Sequence, residues 1–368
     1  MPKAKETVLE IDLKSLEHNY RFLRSKLKAE TKFLSVVKAF AYGSDSEIVA
    51  LKLQELGTDY FAVAYAKEGV TLRKAGITKP ILVLHPQAVN FEALIEHCLE
   101  PSIYSFGILD QFLATVQEKE LDHYPIHIKF NSGLNRLGFG EKDLQKLVSR
   151  VQDNKSISVV SVFSHLAATE DKNEEEFTRN QITLFEQLSS VFCASLNIQP
   201  IRHILNTSGI LNYGDAQYDM VRSGIGLYGY GNDPKIDVQL KPIATLKTII
   251  SQLHQIDPSE SVGYNRAYFS KTNRTTATLP IGHADGIGRQ YGKEKTHVLV
   301  KDKLAPIIGN VCMDMIMIDV TDIDCKEGDE VIIFGPQLSA HQVAKTADTI
   351  SYELITGISQ RVKRVYIP

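Results

Sequence analysis

Lys38 closes an apolar run, FLSVV, and is followed by AFAY and Gly43. Phe, Leu, Val and Val around a single serine read as a strand buried on both faces. A lysine at the carboxyl end of such a strand is carried into a partly dry place. Desolvation there disfavours the ammonium form and leaves an amine able to act as a base or to form a Schiff base. The competing reading is a lysine whose stem snorkels off the strand end. Three more polar residues end apolar runs: His165 after SVVSVFS, Asn206 after IRHIL and Arg222 after YDMV. Taken singly, His165 reads as a hydrogen-bonded core histidine and Arg222 as one half of a surface ion pair. Taken with Lys38 they read as one rim of polar groups.

Gly224-Ile225-Gly226-Leu227-Tyr228-Gly229 has the spacing GxGxxG. That spacing marks a dinucleotide turn only where it opens a helix within a βαβ unit, and the following YGNDPKIDVQLKP opens none. A glycine turn past a strand, with an arginine just before it, offers backbone N–H groups to a phosphate instead. A Schiff-base lysine together with a phosphate loop is what pyridoxal 5'-phosphate requires.

The elements that must position these groups alternate. After a strand at 7–13, Leu16, Tyr20, Leu23 and Leu27 recur at helical spacing. Strands are expected near 33–37, 60–65, 80–85, 102–104, 124–130, 158–164, 202–205 and 218–222, and helices at 46–56, 67–74, 91–97, 108–119, 141–152 and 174–196. About eight strands in succession, mostly with a helix before the next, predict an α/β protein built on a (β/α)8 TIM-type barrel. At NDPKIDVQLKP the texture changes to short β-rich runs at 244–253, 275–279, 297–300, 315–320 and 331–334, one late helix at 340–354 and a last strand at 362–367. The expected division is a barrel domain at 12–235 and a mainly β C-terminal domain at 236–368 with 1–11.

A chain of 368 residues, 43% hydrophobic and 23% charged, has the composition of an ordinary globular protein of about two domains. A net charge of -3 gives no electrostatic reason to expect nucleic acid or an anionic membrane as partner. Cys98, Cys193, Cys312 and Cys325 lack the spacing of a metal site or a disulfide framework, so reduced thiols in a cytoplasmic protein are expected. No run reaches the ~20 apolar residues of a membrane span.

Several segments, in order, resemble the alanine racemase family over nearly the full chain: VVKAFAYG, KFNSGLNRLGF, SHLA, LNTSG, VRSGIGLYG, VGYNRAY, ADGIGR, NVCMDMIMIDV and ISYELITGIS. The resemblance implies interconversion of L- and D-alanine on pyridoxal phosphate, supplying D-alanine for peptidoglycan. Lys38 would carry the cofactor and serve as the base on the D side. Tyr264 of the partner subunit in a homodimer would serve on the L side. A tyrosine needs nearby positive charge for that task, and Arg266 shares its face only if the segment is extended. The resemblance assigns Tyr42, Thr207, Gly224, Ile225 and Tyr352 to the cofactor's phosphate, Asn206 and His165 to its surroundings, and Arg222 to its ring nitrogen. An arginine there can only donate, which leaves that nitrogen unprotonated and the ring a weaker electron sink. His165 and His203 would support Arg222. Arg136 and the Met313 backbone would bind substrate, with Lys129, often carbamylated in the family, and Asp314 in support.

Two departures stand out: Asn131 where the family usually has Asp, and His283 where many members carry a tyrosine lining the substrate corridor. Substrate range and pH response are the properties they put in question. A racemase of broader specificity is the nearest alternative. A decarboxylase on a similar barrel pairs the ring nitrogen with a carboxylate, which Arg222 opposes. A non-catalytic cofactor-binding barrel would not need the β domain.

Overall fold

β1 (Val8–Asp12) is followed by eight parallel strands: β2 (Lys32–Val36), β3 (Tyr60–Val63), β4 (Ile81–Val83), β5 (Glu100–Ile103), β6 (Tyr124–Lys129), β7 (Ile157–Phe163), β8 (Ile201–His203) and β9 (Met220–Ser223). These ranges come from a computed structural model that describes residues 4–231 and 233–367. Residues 1–3 and 368, at the outer ends of the expected β domain, and Asn232 of the expected junction lie outside it.

The eight parallel strands pair in the order β8-β7-β6-β5-β4-β3-β2-β9. The remaining seam is bridged by backbone bonds from Asp219 N to Arg202 O (3.1 Å) and Arg222 N to Leu205 O (3.0 Å). Both faces of these strands are covered, the interior on one side and the helices on the other, and Phe33, Phe61, Leu82, Ile103, Ile128 and Val162 are all buried. Helices 13–24, 46–55, 66–74, 91–96, 106–118, 144–151 and 175–196 return the chain between strands. The longest, Glu175–Leu196, buries Ile182, Phe185, Leu188 and Phe192 at helical spacing and stops where Asn197 turns left-handed.

The described residues divide into two compact units: 17–41 with 46–231 and 233–240, and 4–16 with 42–45 and 241–367. The second is mainly β. Its strands are β10 (Ala244–Ile249), β11 (Gln252–Ile256), β12 (Ser261–Val262), β13 (Tyr268–Phe269), β14 (Arg274–Leu279), β15 (His297–Val300), β16 (Lys303–Ile308), β17 (Ile316–Asp319), β18 (Glu330–Phe334) and β19 (Lys363–Ile367). Nine strands form one sheet, β11-β14-β17-β16-β15-β18-β10-β1-β19, in which β1 runs antiparallel to β10 and parallel to β19. β12 and β13 make a separate hairpin.

Three local expectations are corrected. The run at 244–253 is two strands, β10 and β11. The late helix is two pieces, Ala340–Lys345 and Ser351–Thr356, because Asp348 turns left-handed between them. The junction contains a short helix, Pro234–Asp237, which proline at its first position favours.

Candidate active site

β2 delivers Lys38 half-buried to the carboxyl rim of the barrel. Burial, then the Arg136 charge, push its amine below the usual lysine value, against a smaller opposing pull from Glu68. The chain beyond it is unusual: Ala39, Phe40, Ala41 and Tyr42 all lie in the left-handed region, with φ of 53°, 55°, 50° and 52°. For residues with a Cβ this costs roughly 1–2 kcal/mol each. Glu68 anchors the start of the turn, accepting from Ala39 N (2.6 Å) with one oxygen and from Ala64 N (2.7 Å) and Tyr65 N (3.0 Å) with the other. Strain held in place by hydrogen bonds from a neighbouring strand end fixes where the lysine points.

Arg222, on β9 beside β2, is buried. Its Nη2 donates to Ser164 O (2.6 Å), Ile204 O (3.0 Å) and His165 Nδ1 (3.2 Å), and its Nη1 to His203 Nδ1 (2.7 Å). It also lies over the Phe163 ring, on which His203 stacks. Burial draws the guanidinium down to about 9, which leaves it charged at neutral pH. Burial and then Arg222 hold both His165 and His203 far below the usual histidine value, so both accept as neutral rings. Among the described residues Nε–H of Arg222 has no acceptor, and a ring nitrogen with a lone pair is the partner it lacks.

Lys129 ends β6 with its Nζ 5.7 Å from the centre of the Phe163 ring and no carboxylate partner among the described residues. Burial, Arg136, Arg222 and Lys38 lower it to about 8. Arg136 lies exposed on the following loop, also without a carboxylate partner among the described residues, so its fork is open to an anion. Asn131 organises that loop, accepting from Gly133 N (3.2 Å) and Asn135 N (3.0 Å) and donating to Asn135 Oδ1 (3.0 Å).

After β8, Asn206 caps the helix Thr207–Asn212 by accepting from Gly209 N (2.8 Å) and takes a second bond from Thr169 Oγ1 (2.9 Å). Thr207 Oγ1 accepts from Gly224 N and Gly226 N, both at 3.3 Å, tying the glycine turn to the neighbouring strand end. A Cβ on Gly226 would lie 2.5 Å from Thr207 Cγ2, so only glycine lets the two loops meet this closely. Ile225, between the glycines, is buried.

The β unit gathers a second group. Tyr264 opens a short turn after Gly263, is 74% exposed, and is held through its carbonyl, which accepts from Asn310 Nδ2 (2.9 Å). The segment is not extended: Asn265 and Arg266 are left-handed, and Arg266 turns to Ser261 Oγ (3.1 Å) and the Phe269 ring. With Cys312, Met313, Met315, Met317 and His254, Tyr264 lines a cavity of about 540 Å³. Met313 O accepts from Ala284 N (3.0 Å), whereas Met313 N–H has no acceptor among the described residues. Asp314 and Asp285 share Arg361, at 2.6 and 2.7 Å. His283 N donates to Cys312 O (2.9 Å), which sets that histidine beside the Met313 strap. Tyr42 and Tyr352 face each other with ring centres 6.1 Å apart, and burial raises the Tyr42 hydroxyl.

Each unit thus collects its own polar groups: Lys38, Lys129, Arg136, His165, His203, Asn206, Thr207, Arg222, Gly224 and Ile225 in one, and Tyr42, Tyr264, Met313, Asp314 and Tyr352 in the other. The sequence reading missed Glu68 and Arg361. It also missed the interior trio His127, Ser161 and Glu100. A polar residue interrupting a strand that is otherwise buried on both faces was the available signal for that trio.

The alanine racemase N-terminal domain family matches residues 11–232 and the C-terminal domain family residues 243–366. Alanine racemase 2 of Caldanaerobacter subterraneus subsp. tengcongensis is 36% identical over 99% of this chain and 96% of its own. The alanine racemase structure of Clostridium difficile 630 superposes with a TM-score of 0.92 at 33% identity, covering all of this chain and 97% of the other. That of Bartonella henselae, with covalently bound pyridoxal phosphate, gives 0.90 at 30% identity over 99% and 100%. With both family domains matched in order on a parallel eight-stranded barrel and a β unit, the chain belongs to the alanine racemase family.

Proposed function

We propose that this chain is an alanine racemase that works with pyridoxal phosphate, with Lys38 and Tyr264 of the partner subunit as its two acid–base groups. The observation that carries the reading is Arg222: a buried, charged guanidinium anchored to the protein through Nη1 and Nη2, while its Nε–H, without an acceptor among the described residues, is left for a ring nitrogen. When bound, pyridoxal phosphate acidifies the substrate's Cα–H by drawing its electrons into the ring. A donor that never accepts leaves the ring nitrogen unprotonated and limits that withdrawal, which favours return of the proton over side reactions.

Lys38, lowered by burial, is the attachment point and the group that takes or returns a proton on the D side. Tyr264 of the partner subunit does so on the L side. Its exposure on its own unit and its place in a methionine-lined cavity support a role completed by a second copy. Arg136 holds the substrate carboxylate and the free Met313 N–H adds one bond. Gly224, Ile225 and Thr207, with Tyr42 and Tyr352, hold the phosphate. His165, His203 and Asn206 keep Arg222 and the loop in place. Lys129, neutral in part near pH 8, is the amine that carbon dioxide would carbamylate beside Arg136. A cytoplasmic homodimer is part of this reading.

The test is the purified protein with pyridoxal phosphate. Racemisation of alanine, and long-wavelength absorbance of bound cofactor that Lys38→Ala abolishes, are expected. An unchanged spectrum in that variant overturns the assignment. Tyr264→Phe is expected to slow proton removal from the L-enantiomer most.

A further inference from the structure

Five consecutive strands of the barrel each place one polar side chain on a single hydrogen-bonded line through the interior. Arg222 Nη1 on β9 reaches His203 Nδ1 on β8 at 2.7 Å, and His203 Nε2 reaches Ser161 Oγ on β7 at 3.0 Å. Ser161 Oγ reaches His127 Nδ1 on β6 at 2.5 Å, and His127 Nε2 reaches Glu100 Oε2, the first residue of β5, at 2.7 Å. His127, Ser161 and His203 are fully buried.

The directions along this line are fixed by chemistry. A guanidinium has only donors, so His203 Nδ1 is the bare acceptor and its proton sits on Nε2. Ser161 therefore accepts from His203 and spends its one hydrogen on His127 Nδ1. His127 in turn carries its proton on Nε2 and gives it to the Glu100 carboxylate. A cationic His127 would leave the serine hydrogen without an acceptor among the described residues. Two neutral imidazoles and one hydroxyl thus join a buried cation to a carboxylate four strands away, every dipole aligned the same way. Bonds in such a chain strengthen one another.

We propose that Glu100, His127 and Ser161 are positioning residues for the reaction: through His203 they hold Arg222 by Nη1 and moderate how strongly its Nε–H donates to the cofactor's ring nitrogen. The inference rests on the function proposed above. The line ends at the amino end of β5, remote from Lys38, so it acts on the chemistry only through Arg222.

The test uses protein loaded with pyridoxal phosphate labelled with ¹⁵N in the ring, and with ¹⁵N-histidine. His203 and His127 are both expected as the Nε2–H tautomer. Glu100→Gln keeps an acceptor but removes the charge, and Ser161→Ala cuts the line. Both are expected to move the ring nitrogen upfield, toward the protonated position, as the Arg222 donor strengthens, while Ser161→Thr retains the wild-type position. The fraction of alanine turnovers lost to transamination is expected to rise several-fold with little change in KM. A ring-nitrogen shift identical to wild type in both Glu100→Gln and Ser161→Ala overturns the proposal, as does His203 in the Nδ1–H tautomer. Failure of the wild-type protein to take up the cofactor is a separate result and overturns the underlying function.

Discussion

Lys129 is the residue for which burial has the most direct thermodynamic signature. In the unfolded chain it keeps its proton up to the ordinary lysine value, whereas in the fold it releases it near 8. Between those values the unfolded state binds more protons, so stability rises with pH across that window. The penalty is fully present below about 8 and is gone above the ordinary lysine value. In bicarbonate-free buffer the wild-type protein should therefore gain about 3 kcal/mol relative to Lys129→Met on going from pH 8 to beyond pH 10. Denaturant unfolding at several pH values measures it, and parallel profiles for the two proteins would refute it. Added bicarbonate should flatten the wild-type profile if the neutral amine is captured as a carbamate.

At the level of elements, two glycines share a conformation and differ in surroundings. Gly43 (φ 83°) would place a Cβ 2.2 Å from Ile355 O, while Gly57 (φ 92°) has nothing within 4 Å. Arg364 fixes the Gly43 carbonyl as well, donating from Nη2 (2.8 Å) and Nε (3.1 Å). Gly43→Ala should cost about 3 kcal/mol or more and Gly57→Ala about 1 kcal/mol, read as shifts in the thermal midpoint. Equal shifts would mean that backbone strain, not the clash, decides. The same contrast explains what was legible in the sequence. β2, β7 and β9 could be read because a strand buried on both faces is a continuous apolar run and its polar stop is visible. The left-handed turn after Lys38 could not, because AFAY has neither glycine nor asparagine to announce it, and the bonds that impose it come from Glu68, thirty positions on. Whether Arg266 shares a face with Tyr264 could not be read for a related reason, since left-handed torsions at Asn265 and Arg266 break the alternation on which the spacing argument rests. The division of 340–354 was hidden by a helical period that runs through Asp348.

For the whole molecule the sharp question is which chain supplies Tyr264 to which lysine. If the two acid–base groups come from different subunits, Lys38→Ala and Tyr264→Phe proteins, each nearly inactive, should recover activity when mixed and allowed to exchange. Random pairing makes half the dimers mixed, each with one intact site of two, so about a quarter of wild-type activity is expected. No recovery, with exchange verified by sedimentation of tagged chains, would place both groups in one subunit. The pairing of β1 carries one more consequence, which concerns synthesis. β1 leaves the ribosome before any barrel strand, yet its two neighbours are β10 and β19, so from Asp12 the chain must grow to Ala244 before the first partner exists. At ~5–20 residues per second that is roughly 10–50 seconds, during which VLEID, whose first four residues are buried in the fold, waits with both edges bare while the barrel is being made. A nascent chain of this protein is therefore exposed to mispairing along β1, and a chaperone that shields bare strand edges has its natural target at Val8–Asp12.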